Sequence, residues 1–137
     1  KMINKLHLAM IELYRGDAKR IQHFCKVHSY AKLIAETENV DKECLFIIEA
    51  AALTHDIGIH FCEEKYGNCN GKLQEKEGHH TYNNIDEIDY QILVEADFLV
   101  NIMEDGLSKE AALKAYESIF KTTCGKMICR EMFDFCS

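Results

Sequence analysis

No proline occurs anywhere in the 137 residues, and apolar side chains recur at three- and four-residue spacing almost from end to end. Proline removes a backbone donor and clashes with the preceding turn, so it is the residue that most sharply limits a helix. At its usual frequency a chain of this length would carry about seven. No convincing alternation of apolar and polar residues, bounded by turn formers, suggests a strand. The expectation is an all-α, single-domain helical bundle spanning residues 1–137. A hydrophobic fraction of 47% and a charged fraction of 28% suit a packed core, not a disordered chain.

The periodicity predicts a first helix from about Ile3 to Tyr14, with Ile3, Leu6, Met10, Leu13 and Tyr14 on one stripe. Gly16 suits its end and Asp17 caps a second helix over about 18–36, which carries Ile21, Phe24, Val27, His28, Ala31 and Ile34 inward. Asp41 caps a third, with Leu45, Ile48 and Ala52 inward, reaching His55. Residues 59–84 are rich in glycine, asparagine and charge and read as loop or short helix. A fourth helix runs from about Asp86 to Met103, with Ile88, Ile92, Ala96, Leu99 and Met103 apolar. Ser108 caps a fifth, carrying Ala112, Ala115 and Ile119, and Gly125 separates a last short helix near Lys126–Phe135.

Net charge is −7, which disfavours a general nucleic-acid-binding surface, since such surfaces displace counterions with cationic patches. No apolar run approaches the ~20 residues that span a bilayer, and no basic-then-apolar leader stands at the start. The seven cysteines are odd in number and contain no C-x-x-C, so they read as reduced thiols in a cytoplasmic protein.

Polar residues interrupt three apolar helix faces. His28 lies between Phe24 and Ala31; His55-Asp56 follows the run Ala50-Ala51-Ala52-Leu53; Asp97 sits between Ala96 and Leu99. An interior carboxylate needs a cation or several donors. One divalent ion could serve both aspartates, with two neutral imidazoles completing a mixed nitrogen and oxygen shell. Each signal alone is weak, because a single histidine on an apolar face is more often a hydrogen-bonded core residue.

Taken together, these residues resemble the HD superfamily of metal-dependent phosphohydrolases, whose signature is a His, then His-Asp, then a distal Asp. His28 in Lys-Val-His-Ser-Tyr-Ala, His55-Asp56 in Ala-Ala-Leu-Thr-His-Asp-Ile-Gly, and Asp97 in Glu-Ala-Asp-Phe-Leu-Val-Asn carry the likeness. It covers about 15–105, leaving outer helices over about 107–136. The resemblance implies a bundle of the HD-domain type with an ion at its centre, and His28, His55, Asp56 and Asp97 as its ligands. Members usually carry more helical material between the doublet and the distal aspartate. The join Glu77-Gly78-His79-His80 therefore suggests residues missing near 78/79.

A mixed shell of this kind suits manganese, iron, cobalt, nickel or zinc better than magnesium. Asp56 is the expected catalytic carboxylate, steering the attacking water. His79 and His80 are candidates for substrate contact or a second metal, and Lys65 and Lys72 for neutralising phosphate; solvated loop residues are the plain alternative. One ion is the default, because no further histidine follows the doublet where a second ion would want it. The implied activity is hydrolysis of a phosphomonoester or phosphoanhydride of a nucleotide or similar small phosphate. The alternative is a catalytically silent regulatory HD domain that binds a nucleotide. A homo-oligomer is left open.

Overall fold

The structure, a computed structural model, describes residues 1–57 and 87–135. Among them are six helices and no strand: α1 Met2–Leu13, α2 Ala18–Thr37, α3 Lys42–Thr54, α4 Glu87–Glu104, α5 Lys109–Ile119 and α6 Thr123–Phe133. The all-α bundle expected from periodicity is what the chain forms. None of the described helices is long and apolar enough to cross a membrane. The cysteines among these residues (Cys25, Cys44, Cys124, Cys129) are free thiols. Lys65, Lys72, His79, His80 and the 78/79 join lie outside the described residues.

Helix starts follow side-chain oxygens that satisfy otherwise orphaned amides. Asp17 accepts from the Arg20 N–H at 3.0 Å, Asp41 from Cys44 at 2.8 Å and Ser108 from Ala111 at 3.1 Å. Between α1 and α2, Gly16 takes a φ of 91°, a left-handed conformation that glycine adopts without penalty.

The tight α2–α3 turn sets the register of the bundle. Asn39 enters the left-handed region at φ 61°, and the Val40 N–H returns to the Ala35 carbonyl at 3.2 Å. This is a Schellman-type ending, with asparagine in the position glycine more often fills. The two helices then run back along each other.

Their facing sides supply Val27, Ala31, Ile34, Ala35, Ile48 and Ala52, which form the main core with Ile92, Ala96 and Leu99 of α4. The alanines keep the shared surface thin, so side chains of three helices meet at one end. Met10, Tyr14, Phe24 and Leu53 make a smaller cluster that seats α1.

Two expectations are corrected. The inward face of α4 holds Ile92, Ala96 and Leu99 as expected but not the two ends of that stripe: Ile88 is 46% and Met103 66% exposed, while Asp89 and Glu95 are buried as well. Partners explain the inward acids. The Cys44 thiol donates to Asp89. Glu95 accepts from the backbone N–H groups of Lys121 and Thr122, the Thr122 hydroxyl and the Gln91 amide, at 2.6–3.0 Å.

The second correction concerns Gly125, which lies inside the first turn of α6 and does not break it. Thr122 is the cap, accepting from the Gly125 N–H at 2.9 Å. Glycine is needed there for space, because a Cβ would stand 1.9 Å from Glu95 Oε1.

Candidate metal centre

His55 and Asp56 stand just past the last turn of α3, Asp97 lies mid-way along α4, and their side chains converge. His55 Nε2 is 3.3 Å from Asp56 Oδ1 and 3.2 Å from Asp97 Oδ1. The doublet and the distal aspartate therefore share one centre. The histidine that joins them is His23. Its Nε2 lies 3.1 Å from Asp97 Oδ1, 3.3 Å from His55 Nε2 and 3.9 Å from Asp56 Oδ2. Ligand atoms of His23, His55 and Asp56 all lie within 4.8 Å of one another.

His28, expected in this role, does not reach the cluster. Its Nε2 pairs with Glu49 Oε1 of α3 at 2.9 Å, and its ring packs against His7, 5.4 Å between centroids. The reason is level along the hairpin. Both histidines border the buried side of α2, but they are five residues, or about 7.5 Å of helix axis, apart. Counting equal lengths back from the 38–41 turn places His55 beside Phe24, within reach of His23, and leaves His28 nearer the middle of α3. The available signal was the i+4 line His23, Val27, Ala31, Ala35, whose last three members are fully buried.

Hydrogen bonds at the far nitrogens decide which way the rings present their lone pairs. His55 Nδ1 faces the Ala52 carbonyl at 2.8 Å. His23 Nδ1 faces Glu104 Oε1 at 2.7 Å. A carbonyl and a carboxylate can only accept, so both Nδ1 atoms carry the hydrogen and both neutral rings turn a bare Nε2 inward. Those lone pairs point at each other and at Asp97 Oδ1. Three acceptors at 3.1–3.3 Å require positive charge between them.

Protons are one way to supply it. Burial opposes a charged His55, yet its hydrogen bond with Asp97 and the charges of Asp56 and Asp97 raise its pKa to about 9. His23 is raised against the same burial by Asp97, Asp56 and Glu104. Burial also disfavours the Asp97 anion, but the two histidines hold that carboxyl well below its ordinary range.

A divalent cation is the other way, and the donor set fits one. Two imidazole nitrogens and two carboxylates, with each histidine oriented by an acceptor behind it, are the usual dress of a transition-metal site. His23, His55, Asp56 and Asp97 could hold such an ion. Around them the second layer is also fixed. Asn101 donates to Asp97 Oδ2 at 3.1 Å, and the Tyr14 hydroxyl donates to the Asp56 carbonyl at 3.1 Å.

The cluster floors an open cavity of about 390 Å³, whose walls include Lys19, Arg20, Asn101 and Asp105. A somewhat larger cavity, about 490 Å³, lies elsewhere, against Glu38, Gln91 and Thr122, and gathers no comparable set of ligands among the described residues. Comparison with protein-family models, with curated proteins and with solved structures finds no significant match.

Proposed function

We propose that the protein is a metal-dependent phosphohydrolase of the HD type, acting on a phosphomonoester or phosphoanhydride of a nucleotide or similar small phosphate. The observation that carries the reading is the inward convergence of two Nε2 atoms on Asp97, each backed at Nδ1 by an acceptor, so that a neutral ring turns a bare Nε2 inward. The order His, His-Asp, Asp supports it too, with His23 in the place first given to His28. The cavity volume, about 390 Å³, falls in the range of small-ligand sites, roughly 300–1,000 Å³.

A bound manganese, iron, cobalt, nickel or zinc ion would supply Lewis acidity, making water a nucleophile near neutral pH and polarising a phosphoryl oxygen. The chain's own groups divide the remaining work. Asp97 spends one oxygen on the two histidines and the other on Asn101, so its part is to hold. Asp56 Oδ2 lies 3.9 Å from His23 Nε2, beyond hydrogen-bond reach, and is the oxygen to take the proton from the attacking water. Tyr14 fixes the Asp56 backbone and so keeps that carboxylate in place.

The test is phosphate release from a nucleotide panel by protein loaded in turn with each of the five metals. Turnover that a chelator abolishes, and that re-added metal restores, is expected. Absence of turnover with every metal would refute the reading. If nucleotide still bound tightly, the silent regulatory domain would take its place.

A further inference from the structure

A second group of titratable side chains lies apart from the metal centre, where α1 meets α2 and α3. His7 Nε2 is 3.0 Å from Cys25 Sγ. The His7 ring stands edge-on to His28, 5.4 Å between centroids, and to Phe24 at 6.2 Å. Behind His28, its Nε2 lies 2.9 Å from Glu49 Oε1. Cys25 and His28 thus face His7 from α2, and Glu49 of α3 is engaged with His28. Among the described residues no carboxylate touches His7 itself.

These surroundings suit an uncharged ring. Burial pushes the Cys25 thiol up, so it keeps its hydrogen and donates to a bare His7 Nε2. A proton on that nitrogen would find only the thiol sulfur, a weak acceptor. The charge would also give up water and stand against any charge on His28. Burial first, and His28 second, accordingly hold the His7 pKa below its ordinary 6.5. Once α1 leaves the bundle, the ring returns to its ordinary value and binds the proton more readily. Docking of α1 is therefore fully favoured above 6.5 and weakens as pH falls from there toward the docked value.

What α1 carries gives this titration a consequence. Met10 and Tyr14 seat the helix against Phe24 and Leu53. Tyr14 closes its C-terminal end, and the Tyr14 hydroxyl donates to the Asp56 carbonyl at 3.1 Å. We propose that α1 is an acid-released latch on the candidate metal centre: protonation of His7 undocks the helix and withdraws Tyr14 from Asp56. The His28–Glu49 pair, which bridges α2 and α3, stays in place. The device belongs to the fold and does not depend on the hydrolase reading.

The test is amide hydrogen exchange of the full chain with chelator present, corrected for intrinsic rates, from about pH 7.5 down to about pH 5.5. One proton taken up per opening should cost the amides of α1 and Tyr14 up to about tenfold in protection per pH unit below 6.5. Amides of the α2 core around Ala31 should keep theirs. His7→Phe fills the same space with a ring that takes no proton, and should abolish that slope. His7→Gln serves if the phenylalanine variant fails to fold. In the wild type, the His7 ring followed by NMR should titrate with a midpoint below 6.5. A midpoint at or above that value, or α1 protection that ignores pH, would overturn the latch. So would a slope that survives in the variants, or protection lost from α1 and the α2 core together. Amides of α1 that open while Tyr14 stays protected would overturn the link to Asp56.

Discussion

Replacing His23 and His28 separately by alanine should produce opposite effects, and the structure sets the size of each. His23→Ala removes one of the two imidazoles facing Asp97. Losing a group that only orients a metal ligand typically costs 10- to 100-fold in affinity. Losing the ligand itself should therefore cost at least about 100-fold, or about 2.8 kcal/mol. His28→Ala leaves the cluster intact but strips Glu49, which is 8% exposed, of its 2.9 Å partner. An orphaned buried acceptor costs about 1–3 kcal/mol, which for a domain of this size lowers Tm by roughly 3–12 °C. Metal affinity of that variant should stay within about threefold of wild type, a change that would cost under 1 kcal/mol. The assays are a competitive chelator titration and thermal unfolding of the ion-free proteins. A His28 variant that loses the ion while the His23 variant keeps it would overturn the assignment and restore the ligand set suggested by sequence spacing.

Three further outcomes are expected. Glu104→Gln removes the carboxylate behind His23 Nδ1 and should weaken metal binding about 10- to 100-fold, measured in the same titration; unchanged affinity would remove Glu104 from the site. Gly125→Ala forces a Cβ against Glu95 Oε1; breaking two of the charged hydrogen bonds there costs about 3–6 kcal/mol, and a urea midpoint equal to wild type would refute that packing. For the ion-free protein, a raised His55 stabilises fully below its unfolded pKa of 6.5 and less as pH climbs through about 9. A depressed Asp97 stabilises above its unfolded 3.8 and is lost on acidification. Thermal stability of the ion-free protein should therefore peak between those unfolded values and fall toward pH 9, and a flat profile across that range would contradict the arrangement.

Caps were the most legible feature of the sequence, because Asp17, Asp41 and Ser108 act on amides three residues away and depend on nothing distant. The doublet and Asp97 were legible as well, since a carboxylate on an apolar face demands an explanation. His23 was not, because an amphipathic pattern reports which side of a helix a residue occupies and says little about its level in a hairpin. Two inward acids of α4 escaped notice for a related reason. Glu95 and Asp89 look like solvent positions until the partners supplied by Thr122, Lys121 and Cys44 are known. Gly125 resembles a breaker by composition, whereas its small size answers to Glu95 on another helix.

Helix α4 presents Asp97 to the cluster and, two residues earlier, Glu95 to the amides of Lys121 and Thr122. One rod is thus loaded from both flanks, by the centre on one side and by the start of α6 on the other. A cation that tightens the Asp97 flank stabilises the folded chain by mass action and should be felt across the rod. Backbone protons of residues 121 and 122, remote in sequence from every proposed ligand, would then exchange with solvent more slowly once the cation is added.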